Sequence, residues 1–172
     1  KPADRGSSIG IFTAHTVAEL APAIESARRF SKTLLVEHCL RGREATGGVV
    51  DNFRGQDVYA LPPIEIRPPI TKMFWTYDDK YNGETAEICP GNFDPGTIKQ
   101  IEELSIKAHR ALGLRHYSRS DFMITNHGLY ILETNSLPGL TSESLLPKTL
   151  TAVGCAYPDF LDHVIQLALG RL

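Results

Sequence analysis

Cysteine is scarce in this sequence. Cys39, Cys89 and Cys155 are three in number and far apart along 172 residues, a pattern that argues against a disulfide scaffold or a Cys-built zinc site and favours a reducing cytoplasm. Charge of one sign is scarce too: 18 Lys+Arg against 20 Asp+Glu leave −2, so a partner held by diffuse positive charge, nucleic acid above all, is not expected. No apolar run approaches the roughly 20 residues that cross a bilayer, and no leader pattern opens the chain. The six histidines show no metal-ligand spacing, and none is assigned to catalysis. There are no internal repeats or low-complexity tracts. An initiator methionine is also lacking; Lys1-Pro2 reads as mid-protein sequence, so the chain is expected to be a segment of a longer one.

What is present is ordinary globular material. A 42 % apolar content supports a core, and the length suits one domain or two small lobes. Thr16 to Glu19 has the form of a capping box, and Val17, Leu20, Ile24 and Ala27 recur at helical spacing, predicting a helix over about 16–30. Leu34 to His38 reads as a short buried strand. Residues 43–52 and 57–66, with a turn signal at Asn52 to Gly55, predict paired strands. Residues 67–97 form a long Pro- and Gly-bearing loop whose aromatics, Phe74, Trp75, Tyr77 and Tyr81, argue for order. Asp94-Pro95 and Gly113 bracket a helix with Ile98, Ile101, Leu104, Ala108 and Leu112 as its apolar stripe. Strands follow at about 117–125 and 129–135, then a loop over 136–146 and helices near 147–153 and 158–169. The pattern is α+β. Cys39 and Cys155 are expected to be buried small hydrophobes.

The most informative constellation is geometric. A three-residue hairpin loop at 126–128 sets Asp121 opposite Glu133 and Arg119 opposite Asn135, all four on one face. Facing carboxylates repel unless a cation sits between them. Mg²⁺ takes hard oxygens from one or two carboxylates and completes its shell on nucleotide phosphates. Asn135 adds an amide oxygen, and Arg119 can neutralise a transferring phosphoryl group. A solvated face with ion pairs is the alternative, and a two-residue turn would put Leu132 opposite Asp121 and remove the cluster. Arg5-Gly6-Ser7-Ser8-Ile9-Gly10 is a weaker pattern. Its backbone and hydroxyls, with Lys1, suit a phosphate, but it is not a Walker loop and a simple turn remains open. Glu37 ends the 34–38 segment, and with the backbone beyond it and Glu44 it could meet an adenine amine and ribose hydroxyls, or be exposed acid at a strand end. Lys80-Tyr81 could reach phosphates and orient a substrate, or be a solvated lysine beside a packed tyrosine.

Arg119-Ser120-Asp121-Phe122, Leu132-Glu133-Thr134-Asn135-Ser136-Leu137-Pro138-Gly139-Leu140-Thr141 and Ser144-Leu145-Leu146-Pro147-Lys148 together strongly resemble the C-terminal part of D-alanine–D-alanine ligases, of the ATP-grasp superfamily. Lys1-Pro2 with Gly6 to Gly10 resembles that family's phosphate-covering loop, and Lys80-Tyr81 falls in its mobile active-site loop. The resemblance covers essentially the whole chain. It implies an ATP-grasp fold divided into a partial small ATP-binding subdomain, 1–40, and a large C-terminal subdomain, 41–172, with an antiparallel sheet flanked by helices.

By the same resemblance, Asp121, Glu133 and Asn135 would hold two Mg²⁺ ions, for which Mn²⁺ can substitute, on the ATP phosphates. Lys1 and Lys80 would contact phosphates, with Ser8 in the loop that closes over them; Glu37, Leu40 and Glu44 would meet adenine and ribose. Arg119 and the Gly139 backbone N–H would stabilise the oxyanion, Ser7 and Tyr81 would orient the first D-alanine, and Ser144 and Leu145 would hold the carboxylate of the second. The implied reaction phosphorylates one D-alanine carboxylate from ATP and lets the amine of the other displace phosphate, for peptidoglycan precursor synthesis in the cytoplasm. Catalysis would rest on positioning and charge neutralisation. The family's N-terminal domain and the first half of its small lobe have no counterpart in these residues, so this segment is not expected to complete the reaction alone. A homodimeric whole protein is implied, with no nucleic-acid or membrane partner. Tyr81 resembles the dipeptide-forming members rather than those that use D-lactate. Another ATP-grasp carboxylate–amine ligase and a non-catalytic nucleotide-binding module remain as alternatives.

Overall fold

The computed structural model describes residues 1–6, 8–68 and 85–171. Ser7, Lys80, Tyr81 and the Phe74, Trp75 and Tyr77 aromatics lie outside the described residues. The chain divides into two compact units, Lys1–Leu40 with Pro68–Ala86 and Arg41–Arg67 with Glu87–Leu172. No helix among the described residues is long and apolar enough to cross a membrane.

In the first unit the chain start is tied to residues 33–35. Lys1 and Leu35 exchange backbone bonds of 2.9 and 2.8 Å around an isolated Pro2–Leu34 bridge. The strand expected over 34–38 is therefore one bridge long, and Leu35 and Val36 are exposed rather than buried. Gly6 accepts from the Ile9 N–H (3.1 Å) to close a turn that places Ser8 in the left-handed region, φ 60°. Helix α1, Val17–Arg28, starts at the N-cap expected, but the capping box does not form: Thr16 gives no side-chain cap, and Glu19 accepts from the His15 N–H (2.8 Å), one residue before the N-cap. That bond lowers the Glu19 pKa. Of its expected apolar face only Ala27 is buried; Val17 and Leu20 are exposed.

The second unit is built on an antiparallel sheet whose centre is β1, Arg43–Phe53. Strand β2, Gln56–Ala60, returns through Arg54-Gly55, both at positive φ (51° and 75°) as a type I′ hairpin requires. The strand expected over 57–66 is broken by Pro62-Pro63, which cannot donate to a ladder, and resumes as β3, Ile64–Arg67, on the same edge of β1 as β2, with β5 on the opposite edge. With β4, Ala86–Ile88, β5, Tyr117–Thr125, and β6, Gly128–Asn135, the order is β4-β3-β1-β5-β6, and β2 pairs beside β1.

Helix α2, Pro95–Ala111, covers one face. Asp94 caps it by accepting from the Thr97 N–H (3.0 Å), and Gly113 ends it at φ 61°. Its buried line is Ile101, Ser105 and His109, while Leu112 of the expected stripe is exposed. The two polar members are buried because each has a partner. Ser105 donates to the Ile101 carbonyl (2.7 Å), and His109 bridges Ser118 (2.8 Å) and Asp51 (3.1 Å). This Ser-His-Asp line is structural, since Ser118 is 1 % exposed and no substrate reaches it. Helices α3, Leu145–Ala152, and α4, Tyr157–Ala168, cover the other face around Val50, Leu61, Tyr117, Leu146, Leu150 and Phe160. Gly47 and Gly48 let both layers approach. A side chain on Gly47 would meet the Ser105 hydroxyl, and one on Gly48 would come within 2.8 Å of Leu146. Cys155 joins this core, and burial raises its pKa; Cys39, expected to be buried, is exposed.

Beside Phe93, Glu65 is buried between Arg43 (2.8 Å) and Arg67 (2.9 Å) and also accepts from the Asn92 N–H (3.3 Å). Burial pushes its pKa up, but the two arginines outweigh that and hold it below the usual 4.5. A depressed carboxylate contributes stability above its unfolded pKa and loses it as pH falls through the folded value. Glu65→Gln is therefore expected to cost about 1–3 kcal/mol at pH 7 and to weaken the loss of stability below pH ~4.5. Urea unfolding at pH 7 and pH 3 checks this; an unchanged acid limb would contradict it.

Candidate metal centre

Two-residue periodicity puts Arg119, Asp121 and Met123 of β5 on the face away from α2, with Gly48, Thr46 and Glu44 opposite them in β1. On the other side of β5, Asp121 pairs with Glu133 and Arg119 with Asn135. The route to that register differs from the one expected. The hairpin loop has two residues, Asn126-His127, closed by Thr125, whose hydroxyl accepts from the His127 N–H (3.0 Å) and donates to the Gly128 carbonyl (3.1 Å). Continued regularly, that loop would set Leu132 against Asp121. Instead the ladder shifts between Asp121 and Phe122: Phe122 pairs with Ile131, Leu132 is left over, and Glu133 meets Asp121. A bulge makes up the residue that the turn lacks.

The four side chains are linked. Arg119 donates from Nε to Asp121 Oδ1 (2.8 Å) and from a terminal nitrogen to Oδ2 (2.9 Å), and Asn135 donates to Oδ2 (3.3 Å). Burial works to lower the Arg119 pKa, but the Asp121 charge and bonds, with the charges of Glu133 and Glu87, keep it above its ordinary value. Asp121 on β5 and Asn135 on the edge strand β6 are half-buried, and Glu133 on β6 is exposed. Two carboxylates and an amide oxygen are hard ligands, and Asp121 already draws a cation, so the donor set fits Mg²⁺. Among the described residues no cluster of three or more His, Cys, Asp or Glu side chains could hold a metal, so phosphate oxygens and water would have to complete the shell.

Gly139 and Ser144 also come together: a side chain on Gly139 would lie 2.7 Å from Ser144 Oγ. That oxygen is engaged by Thr141, through its N–H (3.2 Å) and hydroxyl (2.9 Å), and gives α3 no cap. The first N–H groups of α3 thus receive no bond from the N-cap side chain. In the first unit Lys1 Nζ is paired with Glu37 (2.6 Å); Leu40 is half-buried, and Ser8 lies in the turn described above. Glu44 sits in the second unit on the Asp121 face. Two charged residues escaped the sequence reading. Glu87 of β4 and Lys148 of α3 form an ion pair of 2.6 Å, and Glu87 reaches Arg119 electrostatically. Lys148 stood inside a quoted motif without a role, and nothing in the sequence pairs it with a residue 61 positions earlier.

The antiparallel sheet flanked by helices is that of an ATP-grasp protein, and solved D-alanine–D-alanine ligases superpose on it. The D-alanine-D-alanine ligase from Coxiella burnetii gives a TM-score of 0.81 at 27 % identity, covering 99 % of this chain and 44 % of that one. The Bacillus anthracis D-alanine--D-alanine ligase complexed with ATP gives 0.72 at 28 %, covering 90 % and 47 %. Among curated proteins, the D-alanine--D-alanine ligases of Desulfotalea psychrophila and Syntrophobacter fumaroxidans are 44 % and 38 % identical over 99 % and 98 % of this chain. The family described as D-ala D-ala ligase C-terminus matches residues 1–166, and the chain belongs to it. It spans about half the length of those curated relatives, 53 % and 54 %.

The bulge yields a test. Deleting Leu132 leaves Glu133 next in line after Ile131, opposite Asp121, so the deletion is expected to keep divalent-metal affinity within about threefold while straightening β6. Calorimetric Mn²⁺ titration of the deleted chain checks this; loss of binding in a folded variant would contradict it.

Proposed function

We propose that this chain carries the ATP, metal and oxyanion sites of a D-alanine–D-alanine ligase serving peptidoglycan precursor synthesis in the cytoplasm. The observation that carries the reading is the Asp121–Glu133 pair, set face to face across a bulge with Arg119 and Asn135 on the same side. Facing acids destabilise a sheet unless a cation joins them, and a sheet kept only for structure has no reason to bulge into that register.

On this reading residues 1–40 belong to the small ATP-binding subdomain and 41–172 to the large one. Lys1, Ser8 and Lys80 hold phosphates, and Glu37, Leu40 and Glu44 meet adenine and ribose. Asp121, Glu133 and Asn135 hold two Mg²⁺ ions, or Mn²⁺, which when bound neutralise phosphate charge. Ser7 and Tyr81 orient the first D-alanine, whose carboxylate takes the γ-phosphoryl of ATP. Arg119 and the Gly139 N–H stabilise the oxyanion formed when the second amine attacks that acyl phosphate. Ser144 Oγ and the Leu145 N–H, which Ser144 does not cap, receive the carboxylate of the second D-alanine, where the α3 dipole favours negative charge. D-alanine and ATP are the small-molecule partners, Tyr81 favours D-alanine over D-lactate as acceptor, and the whole protein acts as a homodimer. The complete reaction belongs to relatives about twice this length. Of these residues alone the proposal asks nucleotide and metal binding, not dipeptide synthesis.

ATP titration of the chain with and without Mg²⁺ tests the reading. Binding should weaken about tenfold or more when EDTA replaces Mg²⁺, and Asp121→Ala or Glu133→Ala should remove that dependence. Nucleotide binding indifferent to the metal in the unaltered chain would contradict it and favour a non-catalytic module.

A further inference from the structure

Thr141 holds no role in the site described so far, yet among the described residues the Ser144 side-chain bonds all run to it. The two residues close a four-residue turn, with the Ser144 N–H donating to the Thr141 carbonyl (2.9 Å). Ser144 Oγ in turn accepts from the Thr141 N–H (3.2 Å), and the two hydroxyls lie 2.9 Å apart. Gly139 passes beside the same oxygen, since a side chain there would come within 2.7 Å of it. The hydroxyl proposed for the second substrate is thus set against the backbone proposed for the oxyanion.

A serine at this position would ordinarily serve the helix. Ser144 is the N-cap residue of α3, and an N-cap side chain accepts from the N–H of the second or third helical residue. The third residue of α3 is Pro147, which has no N–H, and Ser144 makes no capping bond. Its oxygen is held by Thr141 instead. A hydroxyl has two acceptor positions and one proton. The Thr141 N–H fills one acceptor position, and either hydroxyl can donate across the 2.9 Å contact. When Thr141 donates, both acceptor positions of Ser144 Oγ are filled, and its proton can go only to a third group. A carboxylate is acceptor-only and suits that proton. Donation in series, from Thr141 to Ser144 to the anion, strengthens each bond.

We propose that Thr141 is a positioning residue for the second substrate: its N–H and hydroxyl together hold Ser144 Oγ as a donor to the substrate carboxylate. The inference rests on the reading of Ser144 and Leu145 as the carboxylate site. A turn kept only for loop structure would use the same contacts without directing the Ser144 proton outward.

The probe is D-alanine, and the readout is its dissociation constant for the 172-residue chain, followed by NMR at the Leu145 amide, with circular dichroism confirming that each variant is folded. Thr141→Val keeps the N–H and the shape but not the hydroxyl, and should weaken D-alanine binding roughly threefold to tenfold. Thr141→Ser keeps the donor and should bind within about twofold of the unaltered chain. In a chain carrying Ser144→Ala, Thr141→Val should change affinity by less than about twofold, because the group it acts through is gone. D-alaninamide, which has no carboxylate, should lose no more than about twofold on Thr141→Val. The inference is overturned, while the carboxylate site stands, by a Thr141→Val chain that binds D-alanine as the unaltered chain does or weakens equally for D-alaninamide. An equal loss without the Ser144 hydroxyl, or no rescue by Thr141→Ser, overturns it in the same way. D-alanine binding that is absent, or indifferent to Ser144→Ala, overturns the reading of that site and this inference with it.

Discussion

Two acids facing each other across neighbouring strands repel, and the rest of this structure is arranged around that repulsion. Asp121 and Glu133 are paired in register, and the cation that makes the arrangement tolerable among the described residues is Arg119, bonded to both Asp121 oxygens. A single guanidinium meets the charge of one acid directly and of the other only at a distance, and burial works against it. The face is thus under-neutralised for a structural ion pair and suited to a further cation, which is the physical content of the proposed function.

The scaffold keeps this face accessible by sending its hydrophobic demand elsewhere. Helix α2 takes the opposite face, filling it with Ile101, Phe93, Ala45 and Phe122 and with polar groups that bring their own partners. Helices α3 and α4 take only one end of the site-bearing face, at Val50 and Tyr117, and Gly48 marks the limit of their approach. Beyond that limit stand the charged and amide side chains. Their spacing is set by backbone hydrogen bonds, not by the packing of their own atoms, so the proposed ligands sit on rigid elements.

Local chemistry made much of this legible in the sequence. Asp94-Pro95 and Gly113 fix α2 because cap and terminator are properties of single residues, and Arg54-Gly55 fixes its hairpin for the same reason. The Asp121–Glu133 pairing was also reached, but through a three-residue turn that is not there; the two-residue turn and the Leu132 bulge offset one another, and nothing in the residue types announces either. Burial was read less well. Leu112, Leu35, Val36 and Cys39 are exposed although apolar, while Ser105, His109 and Glu65 are buried because distant partners satisfy them. Periodicity sees side-chain character and not the partner that arrives from another element. Glu87 and Lys148, paired across 61 positions, were invisible for that reason.

The most direct test of the central claim is the position of a bound ion. Crystals of the chain grown with Mn²⁺ and a non-hydrolysable ATP analogue should show an anomalous-scattering peak about 2.0–2.3 Å from oxygens of both Asp121 and Glu133, with Arg119 released from at least one Asp121 oxygen. Nucleotide seated on this face with the Arg119–Asp121 bonds intact, and no peak between the acids, would contradict the account.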